Sequence, residues 1–398
     1  MGIVVEQGGT LNVNTGSSCD GSILVQGTLN YYKPVTNSEL NFITLSGNNS
    51  IWNVYNNISF NNSNGGSLSF TGSINLKLGY KLTLTNVNVS FRSFGYDQND
   101  QIEIDANSSL EIRNQLAIGT NATFTYSGEG SLIFRSPATI TAGTTNSNIS
   151  IDRRGYTNKT IYFTGNSGTS ITAALWNITF TGCTLSLAHG VDVSVNAVVN
   201  LYSTLVTSAT PSSIHNGFKI SNSGAMNFNN CTFEKGEFGL WIMGWSGGTV
   251  NVSGCNFKNC AQGLFVYNKA LTLSGSYFYD NKTGLNIDYS SYTHNVANCT
   301  FKALSGSVEQ GIIYQGTPES SLNISGCTVL NQSVTGINTG GGNVKLSCNR
   351  IQNNNLGLRI GGNYLNMSRL TGGGYNNLSN NNYTIYSYGA YGMDLEEG

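Results

Sequence analysis

Charge is scarce in this chain. Asp, Glu, Lys and Arg make up 10% of the 398 residues, and the formal net charge is −1. The 19 Lys and Arg are scattered with no basic run, so nucleic acid and anionic membrane surfaces, which need clustered cations, are not expected partners. Proline is rare at 4 residues and histidine at 3. No apolar run approaches the roughly 20 residues of a bilayer-spanning helix, so no membrane insertion is expected. The start, MGIVVEQGGTLNV, has neither a basic n-region nor a long apolar h-region, and no signal peptide is read there. That start and the end, GMDLEEG, read as cuts from a longer protein. Helical i, i+3, i+4 patterning is essentially missing. Disorder is excluded by what is present, since 39% of residues are hydrophobic and 11% aromatic.

Those apolar residues recur at an interval. A glycine returns at Gly217, Gly239, Gly263, Gly284, Gly311, Gly336 and Gly357, with spacings of 22, 24, 21, 27, 25 and 21. Alternating triplets follow it: Phe218/Ile220, Leu240/Ile242, Leu264/Val266, Leu285/Ile287, Ile312/Tyr314 and Leu358/Ile360. A second alternating stretch comes next (Met226/Phe228, Val250/Val252, Leu271/Leu273, Leu322/Ile324, Val344/Leu346), and then a Cys-x-Phe step. Period-2 alternation means strands with one buried face. Short strands at this interval, with length variation confined to turns, mean a solenoid of parallel rungs. Equivalent positions then lie about 4.8 Å apart along the axis. Cys231, Cys255, Ser276, Cys299 and Cys327 would form one internal ladder, and Phe233, Phe257, Phe278 and Phe301 another. The recurrent glycines are expected to allow a tight or left-handed backbone at each corner.

The stretches NNCTF…GLWI, SGCNF…GLFV, SGSYF…GLNI, ANCTF…GII and SGCTV…GI resemble the right-handed parallel β-helix repeat family of the pectate-lyase-like superfold, over about residues 211 to 388. The resemblance implies an all-β, right-handed parallel β-helix solenoid. It says little about function, because this superfold hosts many roles. Residues 1–210 alternate more loosely and resemble coils of large secreted bacterial adhesins; IWNVYNNISF and LWNITFTGC look related to each other. The expected organisation is irregular coils over 1–210, regular repeats over 211–388 continuous with them, and a C-terminal tail at 389–398. Pro211-Ser-Ser marks a change of coil type.

Eight cysteines invite a disulfide framework, and ladder neighbours lie within disulfide reach. The reading preferred here is stacked thiols acting as small hydrophobes, because Ser276 replaces Cys in one rung. Cys348 is displaced from the ladder by one residue, and Cys19, Cys183 and Cys260 have no evident partners. No C-x-x-C occurs, so no metal site is expected from the cysteines. The 18 N-x-[ST] sequons reflect an Asn-rich composition. His189, His215 and His294 read as satisfied core or turn residues.

The resemblance implies that an enzyme of this superfold would act on acidic polysaccharide. Patterns like the N-T-D, D-D, G-H-G and R-I-K of its hydrolases are missing, as are the W-x-D-H and R-x-P-x-x-R of its lyases; RSPAT from Arg135 keeps only Arg-x-Pro. The densest acidic stretch holds Asp97, Asp100, Glu103, Asp105 and Glu111. Asp97 and Asp100 are weak Ca²⁺ candidates, and a solvated loop and strand is the favoured reading. No cofactor is otherwise expected.

The better candidate is the outward face of the strand after each glycine. Its column reads Lys219, Trp241, Phe265, Asn286, Ile313, Asn338 and Arg359, with Met243, Tyr267, Asp288 and Gln315 beside it. Trp241, Met243, Phe265 and Tyr267 would form an aromatic patch flanked by amides and charges, suited to sugar rings or a protein partner. The plain alternative is that the turn GWSGG at 244–248 covers it. Asp288 is the single carboxylate, short of the pair a hydrolase needs. The expected function is a secreted or cell-surface structural and adhesive β-helix rod that binds a polysaccharide, a surface glycan or another protein. A polysaccharide lyase or glycoside hydrolase with an atypical site, and a phage or fibre-type receptor-binding protein, are the alternatives. Open solenoid ends are strand edges, so self-association is also expected.

Overall fold

The computed structural model describes residues 3–14, 22–32, 43–47, 49–61, 66–77, 79–143, 146–244, 247–304, 309–361, 369–372, 375–388 and 392–395. Among them there is no helix. The chain forms two compact units, residues 1–191 and 192–398, and in each the strands pair in parallel with equivalent strands of the neighbouring coil.

In the second unit each coil from Phe218 to Gln352 contributes three strands. The first face runs from Phe218–Ser221 to Tyr383–Tyr388. The second runs from Met226–Asn229 to Gly392–Leu395 and the third from Thr232–Glu234 to Arg350–Gln352. Register follows the expected columns: Phe218 lies on Leu240, Leu240 on Leu264, and Leu264 on Leu285. Alternation decides burial, as in Phe238–Met243, where Leu240 and Ile242 point in while Trp241 and Met243 point out. The Phe ladder is real. Phe233, Phe257, Phe278 and Phe301 stack at centroid distances of 4.9, 4.6 and 4.5 Å with interplanar angles of 12° or less.

The thiol ladder is buried and without disulfides, but its chemistry differs from the expectation of small hydrophobes. Just before each ladder residue the backbone is left-handed, at Asn230, Gly254, Gly275, Asn298, Gly326 and Cys348, with φ between 54° and 63°. The following N–H therefore turns inward, away from the backbone ladder, and a side chain of the next coil accepts it. Cys255 Sγ takes the Cys231 N–H at 3.4 Å, Ser276 Oγ takes the Cys255 N–H at 3.1 Å, and Cys327 Sγ takes the Cys299 N–H at 3.4 Å. The thiols donate back to the previous coil, Cys255 to the Phe228 carbonyl at 3.3 Å and Cys327 to the Val296 carbonyl at 3.5 Å, while the Ser276 hydroxyl donates to the Ser274 carbonyl of its own coil at 2.9 Å. Each position thus needs a short side chain that both donates and accepts. Asn349 meets that need in the next rung, accepting the Cys327 N–H at 2.9 Å and donating to the Ile324 carbonyl at 2.8 Å. This explains the displaced Cys348, which occupies the left-handed slot and is exposed.

A second ladder of the same kind follows the third face. Asn281 answers the Cys260 N–H, Asn354 answers that of Gln332, and Asn381 answers that of Asn354, at 3.0, 2.9 and 2.9 Å. Cys260, which had no evident role in the sequence, is its first thiol member.

The recurrent glycines need a different explanation from the expected one. Of the seven, only Gly217 has positive φ, at 114°. The others sit where successive coils approach closely. A Cβ on Gly239, Gly263, Gly284, Gly311 or Gly336 would meet the carbonyl oxygen of the next coil's glycine at 2.6 or 2.7 Å. Absence of a side chain, not backbone freedom, is what the column requires.

The first unit has longer strands that bend through bulges. Ser67–Leu76, Asn88–Tyr96 and Ser109–Ile118 pair in parallel, with the register shifting between Phe91 and Ser93. Outward asparagines link successive coils there, from Asn75 to Asn53, Asn53 to Asn30 and Asn30 to Asn12, at 2.8 to 3.0 Å. The two related-looking segments share only their N-I-[S/T]-F part, which buries Ile58 and Phe60, and Ile178 and Phe180. Trp52 points in, fully buried, whereas Trp176 points out, 52% exposed. Sequon asparagines have structural roles: Asn158, Asn177, Asn251, Asn281, Asn323 and Asn331 all donate through Nδ2.

Candidate functional site on the first face

The outward column forms as expected. Lys219 pairs with Trp241, Trp241 with Phe265, Phe265 with Asn286, and Asn338 with Arg359. Met243, Tyr267 and Asp288 form the adjacent column. Lys219, Trp241, Met243, Phe265, Tyr267, Asn286 and Asp288 are all partly buried, and Arg359 is exposed.

The strip divides into two chemically different ends. At the Lys219 end the aromatic faces are already engaged. Lys219 Nζ lies 5.0 Å over the Trp241 ring and 2.8 Å from Asp192. Hydrogen bonds from Lys219 and Asn216 hold the Asp192 carboxyl below the usual carboxylate range, although partial burial pulls the other way. Phe238, which precedes Gly239 and was not singled out in the sequence, packs on Trp241 at 4.5 Å and on Phe265 at 5.9 Å. Trp241 and Phe265 meet edge to face at 5.5 Å. Trp241 Nε1 is buried with no partner among the described residues. The cover expected from GWSGG falls partly on residues 245 and 246, outside the described residues. The amides of the strip are tied down too: Asn286 donates to Gln262 at 3.0 Å and Asn338 to Gln310 at 2.9 Å.

Farther along, in the adjacent column, Tyr267 stacks on Tyr289, with centroids 5.8 Å apart and planes 10° from parallel. Tyr289 is 63% exposed. Alternation would place residue 289 inside; a bulge turns it out. Asp288 is the one carboxylate in the first-face strands between Phe218 and Tyr388.

The acidic stretch of the first unit does not converge on one point. Asp100 is 3% exposed and accepts the N–H groups of Gly79, Tyr80 and Asp97 at 2.8, 3.1 and 2.7 Å. Burial pushes its carboxyl up to about 6 against those three donors. Asp97 faces Lys77 at 3.4 Å, Glu103 pairs with Lys81, Asp105 caps the Asn86 N–H at 2.9 Å, and Glu111 pairs with Arg135 at 3.0 Å. A carboxylate ringed by backbone donors is a turn cap. Among the described residues no group of three or more His, Cys, Asp or Glu could hold a metal ion.

The histidines separate. His189 is an exposed turn residue. His215 is buried, taking the Gly217 N–H on Nδ1 at 3.0 Å and donating from Nε2 to the Glu234 carbonyl at 3.1 Å. His294 is buried with Nε2 2.6 Å from Ser290 Oγ. Desolvation pulls both rings down to about 4.

Parallel rungs, inward ladders and in-register outward columns make one architecture, and the sequence matches it independently: residues 160–356 match the family described as a right handed beta helix region. This region is a right-handed β-helix. Among solved structures, the β-helix chain is similar to the periplasmic alginate epimerase AlgG, at 11% identity and a TM-score of 0.37, over 88% of this chain and 84% of that one. A likeness at that level carries nothing about activity. No curated protein matches the sequence.

Proposed function

We propose that this β-helix is a structural and adhesive protein, secreted or at a cell surface, whose first face is a rigid contact strip for a glycan chain. The observation that carries the reading is the Tyr267–Tyr289 pair, an exposed aromatic step on a strand face with Asp288 as its one carboxylate. Aromatic carbon faces and edges suit the C–H surfaces of sugars, and neighbouring polar groups suit their hydroxyls. Rungs held by parallel strands lose little conformational freedom on contact. A lone carboxylate does not make an acid–base pair, so the strip is a binding surface and not a hydrolytic one. The Trp241–Phe265 cluster, with its ring faces already occupied, supports the strip from one side.

The test is a panel of bacterial and plant polysaccharides, with and without Ca²⁺, followed for binding and for release of reducing or unsaturated ends. Binding without release is expected, weakened about tenfold or more in Tyr267→Ala/Tyr289→Ala and less in Trp241→Ala/Phe265→Ala. Release of chain ends would replace this reading with catalysis. Binding that neither double variant weakens would move the contact off this face.

A further inference from the structure

Tyr289 stands in a conformation that its own strand does not favour. Leu285 and Ile287 point in, so continued alternation would bury Tyr289 and turn Ser290 outward. The reverse is found: Tyr289 is 63% exposed and Ser290 fully buried. Register shows why. Ile287 lies on Tyr314, but Ser290 lies on Gly316, so Asp288 and Tyr289 together face Gln315 alone. The bulge is completed by a φ of +47° at Tyr289, a left-handed backbone at an aromatic residue. Bulges re-aim side chains, and strain at an exposed aromatic residue persists only where the surroundings impose it.

The surroundings that impose it lie inside the coil. Ser290 Oγ accepts the Tyr292 N–H at 3.2 Å and sits 2.6 Å from His294 Nε2. The His294 ring packs edge-on against Tyr314 at 5.8 Å. Tyr314 Oη is 2.6 Å from Ser320 Oγ, which donates to the Thr317 carbonyl at 2.7 Å. Other coils place Val250, Leu271, Leu322 and Val344 in the position of His294. Among the described coils of the second unit only this one puts a polar ring there, and it carries the bulge. Gly316 is bare because a Cβ would collide with Tyr314 and Ser320. His294 Nδ1 is buried without a partner, so the network is tolerated at a cost.

We infer that Tyr289 is the residue with which the strip grips its ligand, and that His294 is a positioning residue, holding Ser290 inside so that Tyr289 stays out. The grip rests on the glycan-strip reading of the first face; the positioning role does not. If the pair is lost, the regular register returns, Tyr289 turns into the core and Ser290 into solvent.

The experiment reads the two claims separately. Nitration of Tyr289 by tetranitromethane, mapped by peptide mass spectrometry, reports whether the phenol is outside. Tyr277, on the third face and 43% exposed, is the internal reference. His294→Leu, which restores the residue type of the other coils, should slow nitration of Tyr289 about tenfold with Tyr277 unchanged, and His294→Gln should recover most of it. Ser290→Ala serves as the second lesion if His294→Leu fails to fold. Unchanged Tyr289 reactivity in a folded variant overturns the positioning role. In the polysaccharide panel, Tyr289→Ala and His294→Leu should both lose affinity about tenfold while Tyr277→Ala does not. If Tyr267→Ala loses binding and Tyr289→Ala does not, the strip stands and the grip is overturned. If no polysaccharide is bound, the strip reading and the grip fall together, and the nitration result still decides the positioning role.

Discussion

The ladder cysteines show how a single side chain is chosen by its hydrogen bonds. Cys255 accepts one N–H and donates to one carbonyl, both buried. Serine also accepts and donates there: Ser276, one coil on, takes the Cys255 N–H and gives its proton to the Ser274 carbonyl. Cys255→Ser is therefore expected to change the urea midpoint little. Cys255→Ala leaves two buried groups unanswered and should cost about 1–3 kcal/mol in the same experiment. Burial also pushes the Cys183 and Cys260 thiols up to about 12. Among the described cysteines only Cys348 is exposed, so native alkylation followed by peptide mapping should label it well ahead of the ladder thiols, which stay unmodified until the fold opens.

Corners and glycine columns make predictions at the level of the coil. Gly275 has a φ of +54° and open space around its missing Cβ, while Asn230 and Asn298 occupy the same slot in other coils. Gly275→Asn is expected to be neutral within about 0.5 kcal/mol. Gly263→Ala would push a Cβ to 2.7 Å from the Gly284 carbonyl, and should cost more than about 1 kcal/mol by thermal or urea unfolding. The contrast could not be read from residue types, since both positions show glycine. What was legible was the interval and the alternation, because burial on one strand face writes itself into polarity. Ladder members were legible only where the Cys-x-Phe step, or its Ser276-x-Phe278 variant, marked them. Asn281, Asn349, Asn354 and Asn381 do the same work through donor and acceptor pairing, which polarity patterns do not record. Tyr289 was hidden for a related reason: a bulge breaks the alternation from which facing is inferred.

For the second unit as a whole, acid is the condition to probe. His215 and His294 are neutral in the fold, with both rings pulled by burial to about 4, below the ordinary 6.5. Unfolding lets each take up a proton. Their contribution to stability is thus fully present above pH 6.5 and drains away as pH falls toward 4. It is on the order of 3 kcal/mol each at most. The urea midpoint of the second unit should fall across that window, and less steeply in His294→Leu. In the first unit Asp100 works with the opposite sign, since its raised carboxyl favours the fold below the ordinary carboxylate range and stops doing so as pH rises through about 6.

The inward ladders also have a direction. The Cys231 N–H is answered by Cys255, the Cys255 N–H by Ser276, and the Cys327 N–H by Asn349. In each case the residue nearer the N-terminus waits for one made later. A nascent chain leaving the ribosome would present every coil with its corner still open, to be closed by the coil that follows. In a chain folding as it is made, each corner would be closed only once the following coil is in place.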